Sequence, residues 1–159
     1  MHLIDRKDIT LKIAGDYNTY QKKLSELVER KGLQNRIEFL GMISGNKKEE
    51  LYKNAFLFVS PSRAEAIGIV NLEAARFKTP VITSYNTGLD KGWASNGGML
   101  INPNENELTE ALNTALNWTD EERNYNGQKL FNFVKMNYSW EERIIDWIKL
   151  YKQIIEKNL

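Results

Sequence analysis

The chain has 159 residues, of which 42% are apolar and 27% charged, a globular composition that excludes disorder and fibre. Lys+Arg less Asp+Glu is 22 − 21 = +1, so no strong field points to nucleic acid or an anionic surface. There is no cysteine and a single histidine, His2, which removes disulfides, thiolate metal sites, cysteine nucleophiles, Ser-His-Asp triads and multi-histidine zinc sites. Chemistry on this chain must run on carboxylates, hydroxyls, Lys/Arg and backbone amides.

The first ten residues carry Asp5, Arg6, Lys7 and Asp8 and no long apolar run, unlike a signal peptide or anchor. No stretch approaches the ~18 apolar residues of a spanning helix. The expected compartment is the cytoplasm.

In chain order, Leu11 to Gly15 reads as a strand stopped by glycine, and Leu24, Leu27 and Val28 mark an amphipathic helix ended by Lys31-Gly32. Arg36 to Gly41 is the next strand, a polar helix covers about Lys47–Asn54, and the non-alternating run Ala55 to Val59 predicts a strand covered on both faces. Ile69, Leu72, Ala75 and Arg76 carry a helix toward Lys78, and Pro80 to Ser84 is a strand with proline at its first position. Tyr85 to Gly98 is expected as a loop, lying on solvent or lining a pocket with Thr87, Gly88 and Trp93. Met99 to Ile101 is the last strand.

The remainder reads as helices. Leu108, Leu112, Ala115 and Leu116 share a face, and capping boxes open further helices at Thr119–Glu122 and Ser139–Glu142. Trp140, Ile144, Ile148, Tyr151 and Ile155 fall on one side of the last helix, and Trp140, Trp147 and Tyr151 are expected in the core. Strand and helix alternate with short connections, which predicts one α/β domain over 1–159, a mostly parallel sheet with helices on both faces.

Ligands of such sheets bind beyond the carboxyl ends of the strands. The most informative segment there runs Ser60 to Ala75 and holds Glu65 and Glu73, with Gly68 between them. Two readings are open. Ser62-x-x-Glu65 matches a capping box, which would make Glu73 an ordinary helix glutamate. Yet a helix begun at Ser62 would hold Gly68 in its interior, at roughly 1 kcal/mol relative to alanine. A start near Ile67 instead leaves Glu65 in the loop and turns the amides of Gly68, Ile69 and Val70 toward an anion.

The run Pro61 to Ala75, followed by Thr79-Pro80-Val81-Ile82, resembles the E-x7-E region of group 1 glycosyltransferases (family 4, retaining, GT-B fold). Leu11–Gly15, Asn35–Gly41, Glu50-Leu51-Tyr52, Thr119–Arg123 and Tyr138-Ser139-Trp140 resemble further blocks of that family in the same order. The resemblance implies a Rossmann-like, doubly wound domain, the C-terminal, donor-binding half of a GT-B enzyme, whose first strand segment would precede Met1.

It further implies that Glu73 accepts hydrogen bonds from the donor's ribose hydroxyls, that Glu65 contacts the transferred sugar as the catalytic carboxylate, and that the amides around Ile67, Gly68, Ile69 and Val70 hold the diphosphate. Met42 and Ile43 stand where the family packs the base, and Gly15 where a tight turn lets the donor approach. The implied partners are a nucleotide-diphosphate sugar and an acceptor domain, in the same enzyme or a separate chain, with no essential metal or other cofactor. The inner membrane face is a second expected location for a full enzyme. The family's diphosphate-binding Arg/Lys pair has no equivalent, since Arg6 and Lys7 lie too close to the first strand, and Lys78 stands where a helix-ending glycine is common. The alternative function is a stand-alone nucleotide-sugar-binding or regulatory module without transfer activity.

Overall fold

In the computed structural model, which describes residues 6 and 8–157, the backbone groups into two compact units, Met1–Leu51 and Tyr52–Leu159. His2 lies outside the described residues.

In the first unit β1 (Leu11–Ala14), α1 (Thr19–Arg30) and β2 (Ile37–Gly41) form a βαβ element. β1 and β2 pair in parallel from Leu11↔Ile37 to Ala14↔Gly41, with a register shift between Ile13 and Ala14. The Asn18 side chain caps α1, accepting from the amides of Tyr20 and Gln21 at 3.0 Å. At the other end Gly32 takes a left-handed φ of 64°, and its N–H reaches the Glu29 carbonyl at 3.0 Å. α2 (Gly45–Asn54) follows and runs across the division between the units.

The second unit holds β3 (Phe58–Ser60), α3 (Ile69–Arg76), β4 (Val81–Ser84), α4 (Gly92–Ser95), β5 (Met99–Ile101), α5 (Glu105–Leu116), α6 (Asp120–Tyr138) and α7 (Trp140–Lys157). Its strands form a parallel sheet in the order β3-β4-β5. Every residue of β4 is buried. Successive side chains of a strand point to opposite faces. Val81 therefore joins Ala74, Ala75, Leu130 and Val134 of α3 and α6, whereas Ile82 joins Ile101 and Ala115, with Leu108, Ala111 and Leu112 of α5 beside them. Helices thus cover both faces of this sheet, as the alternation of elements predicts. The strand pairing falls into two parallel sheets, of two and three strands.

Three expectations need correction. β3 begins at Phe58, not Ala55, because the Arg123 guanidinium takes the carbonyls of Ala55 and Phe56 at 2.7 and 3.1 Å. Those groups are then used outside any ladder. The segment from Tyr85 to Gly98 is exposed at Tyr85, Asn86, Asp90 and Lys91, but it is not an irregular loop throughout and Trp93 lines no surface pocket. It contains a 3-10 turn (Tyr85–Thr87) and the single-turn α4, and Trp93 is 0% exposed within the core. Finally, α7 contributes no buried residue. Trp140, Trp147 and Tyr151 are 63%, 47% and 59% exposed and line, with Ile144 and Ile148, an open groove of about 370 Å³. They are not core.

The capping box at the start of α6 forms as expected, with Thr119 Oγ1 accepting from the Glu122 amide at 3.2 Å and Glu122 accepting from the Thr119 amide at 2.8 Å. Among the described residues, no helix is long and apolar enough to cross a membrane.

Candidate functional site

After β3 the chain runs as a loop from Pro61 to Gly68, and α3 starts at Ile69 with Gly68 as its N-cap. Of the two readings of Ser62, the later helix start is the one adopted. The Ser62 hydroxyl donates to Glu65 Oε2 at 3.1 Å, a contact within the loop, not a helix cap. Glu65 is half-buried in that loop and Glu73 half-buried on the second turn of α3.

Gly68 is buried between them. A Cβ at this position would lie 2.2 Å from Asn71 Nδ2 and 3.2 Å from Glu65 Oε2, so the side chains of Glu65 and Asn71 both converge on it. Glycine is required here by close approach. The three amides expected at the helix start are not equivalent. That of Ile69 donates to the Ile67 carbonyl at 2.9 Å, which corrects the expectation of a free donor there. The side chains of Ile67 and Ile69 are exposed and that of Val70 is half-buried.

The Glu65 loop is held from one side by the turn after β4. The Glu65 amide donates to the Asn86 carbonyl at 3.0 Å, and Asn86 Nδ2 donates to the Arg63 carbonyl at 2.8 Å. The Ser84 hydroxyl donates to the Ser62 carbonyl. Gly88, with φ +62°, lies so close to the Ala66 carbonyl that a Cβ would stand 2.0 Å from its oxygen.

Beneath the loop Asn71, 0% exposed, donates through Nδ2 to Thr83 Oγ1 at 3.1 Å, and Thr83 donates onward to the Ser60 carbonyl at 3.0 Å. This chain ties α3, β4 and the end of β3 together. Asn71 Oδ1 is buried and has no hydrogen-bond partner among the described residues.

Glu73 is oriented by Tyr52, whose phenol donates to Glu73 Oε2 at 3.0 Å. Burial, and then the hydrogen bond to Glu73, push the phenol above its ordinary value, so Tyr52 stays protonated and a donor at neutral pH. Neither Tyr52 nor Asn71 stands out as a site residue from sequence. The signals were there: Asn71 is the one uncharged polar residue of an otherwise apolar run from Ala66 to Leu72, and Tyr52 the aromatic of a polar helix.

In the first unit, Gly15 follows β1 and donates its N–H to the Gly41 carbonyl at 3.0 Å. Met42, 73% exposed, and half-buried Ile43 follow β2. All three stand at the carboxyl ends of the parallel pair. Arg6 is committed to Asp8, with Nε to Oδ1 at 2.7 Å, and this fork holds the Asp8 carboxyl down at about 2. Lys7 lies outside the described residues. Lys78 takes the left-handed conformation that glycine favours, with φ 60°, and its Nζ sits 5.6 Å from the Phe131 ring. Among the described residues no cluster of His, Asp or Glu is placed to hold a metal ion.

Residues 1–130 match the family described as glycosyl transferases group 1. An uncharacterized glycosyltransferase of Methanocaldococcus jannaschii is 31% identical over 97% of this chain and 40% of its own length. Among solved structures, sucrose-phosphate synthase of Thermosynechococcus elongatus superposes with a TM-score of 0.79 at 26% identity, over 93% of this chain and 39% of that one. The Anabaena protein HepE, solved with UDP and glucose, gives 0.73 at 23% identity, over 96% and 41%, a likeness of fold. The chain therefore spans about two fifths of the length of these relatives.

Proposed function

The chain belongs to the glycosyl transferases group 1 family, and from that membership we propose that it is the donor-binding part of a retaining glycosyltransferase acting in polysaccharide or glycolipid synthesis. The observation that supports this most is the position of the two glutamates around one helix start. Glu65 stays in the loop, buried Gly68 caps α3 between the two glutamates, and Glu73 is presented from the second turn with Tyr52 donating to it.

In this reading Glu73 accepts from the vicinal ribose hydroxyls, since one carboxylate has acceptor capacity for both. The helix start at Gly68 and Val70 faces the diphosphate, where the dipole favours negative charge, with the Ile69 amide already taken by the Ile67 carbonyl. Ile67 lies against the donor with its exposed side chain, Met42 and Ile43 serve the base, and Gly15 gives the backbone room. Glu65 contacts hydroxyls of the transferred sugar and sets its anomeric carbon.

In the reaction the bond from the anomeric carbon to the diphosphate oxygen breaks, and the nucleoside diphosphate leaves with the electron pair. An acceptor hydroxyl bonds to that carbon with retention and gives up its proton. Stabilising the charge growing on the diphosphate is the main catalytic requirement. No metal is needed in this scheme, and the acceptor is brought by a further domain or chain.

Titration with UDP, GDP and ADP and their sugars tests the assignment. Glu73→Ala is expected to weaken the nucleotide that binds by roughly tenfold or more, as hydrogen bonds to a charged group are lost. Equal affinity in parent and variant would refute the ribose role. Incubated alone with donors and acceptors, the chain is expected to give no transfer above donor hydrolysis. Sustained transfer would show that it needs no second domain.

A further inference from the structure

We propose that Tyr52 is a positioning residue for donor recognition, its phenol holding the Glu73 carboxylate in the one orientation that meets a ribose diol. This rests on the reading of Glu73 given above and adds a residue to it.

Glu73 sits on a helix of eight residues, and a glutamate side chain there has three rotatable bonds, many of whose rotamers point away from a ligand. The Tyr52 hydroxyl, 3.0 Å from Oε2, selects among them. The donor is itself rigid. Its ring meets Phe58 edge-on at 5.4 Å and stacks on Phe77 at 6.2 Å, with interplanar angles of 78° and 17°. Its backbone carbonyl accepts the Thr79 hydroxyl at 2.5 Å. Tyr52 is 7% exposed, so its ring cannot swing into solvent without opening the core.

Tyr52, on the last turn of α2, is therefore held by rings from β3 and the end of α3. The phenol bond takes one acceptor position of a carboxylate that offers about four. It also orients the plane of the carboxylate before any ligand arrives, so that less freedom is lost on binding. Phenylalanine at this position would fill the same space but could not orient the acid.

The test uses the whole chain with UDP, GDP and ADP and the 2′,3′-dideoxy form of each, with binding measured by calorimetry. The parent is expected to prefer the ribose form of the nucleotide that binds. Tyr52→Phe, which keeps the ring, is expected to weaken that form roughly five- to tenfold, while the dideoxy form binds as before. Adding Tyr52→Phe to Glu73→Gln is expected to weaken binding no further, because the two act as one unit. A loss shared equally by ribose and dideoxy forms would mean that Tyr52 only supports the core, and the proposal falls. If Glu73→Gln abolishes the ribose preference but Tyr52→Phe leaves it intact, the positioning role fails and the ribose role stands. If no nucleotide binds, or the parent shows no ribose preference, both fail together. Circular dichroism and thermal unfolding of Tyr52→Phe, expected to be those of the parent within a few degrees, confirm that the comparison is between folded proteins.

Discussion

Trp93→Ala is expected to lower stability by about 3–5 kcal/mol, a large part of the 5–15 kcal/mol typical of a folded domain. Trp93 is fully buried within the cluster of Ala74, Leu89, Leu130 and Val134, with Phe133 edge-on at 6.4 Å. The space it fills cannot close easily, because Gly98 already abuts the indole: a Cβ there would lie 2.2 Å from Nε1. The indole N–H has no hydrogen-bond partner among the described residues, and an unpartnered buried donor is unfavourable by ~1–3 kcal/mol. Trp93→Phe removes that donor and keeps most of the apolar volume, so its loss should stay near 1–2 kcal/mol. Denaturant unfolding of the two variants separates volume from polarity. Equal losses would mean that the N–H is satisfied in solution, and a small loss for alanine would place Trp93 outside the core.

Gly127→Ala is expected to destabilise, against the ordinary preference of helices. Gly127 lies inside α6, where alanine normally gains about 1 kcal/mol over glycine. Here a Cβ would stand 2.1 Å from the Lys78 carbonyl oxygen and 2.9 Å from its carbon, nearer than atoms can approach. Backbone cannot rotate out of the way as a side chain can, so α6 and the end of α3 must move apart. Overpacking of this kind costs about 1–3 kcal/mol, and the net loss should be up to about 2 kcal/mol after the helix gain of about 1 kcal/mol is subtracted. A melting temperature at or above the parent's would show that α3 and α6 do not lie this close.

The same pair of helices marks where sequence reasoning ran out. Local signals with a short physical range were legible: the Leu24, Leu27 and Val28 face of α1 and its Lys31-Gly32 end, the Thr119–Glu122 box, and the proline-led β4 all stand where the residues place them. The approach of Gly127 to Lys78 depends on residues 49 positions apart and has no local signature. α7 erred in the opposite direction. Its periodic apolar stripe was legible, but periodicity reports a face and not what covers it, so Trp140 and Trp147 read as core and stand in solvent. Trp93 was read as a loop residue because the run from Tyr85 to Gly98 is polar and glycine-bearing, and only the fold turns it inward. At the candidate site, Glu65 and Glu73 were singled out through the pattern between them and the family resemblance. Tyr52 and Asn71 act on them through space, and spacing along the chain does not express that.

The fastening of the Glu65 loop is asymmetric in its chemistry. On the loop side it is met by the carbonyls of Ser62, Arg63 and Ala66 and the amide of Glu65, and on the other by Ser84, Asn86 and Gly88. A carbonyl belongs to every residue type and an amide N–H to every one but proline, so the identities of exposed Arg63 and Ala64 are not specified by the fastening, whereas Gly88 is. Over descent, or in a combinatorial library, those two letters can be rewritten while the frame that presents Glu65 stays put. Variation in what this loop greets and constancy in how it is held are thus written into different stretches of the gene.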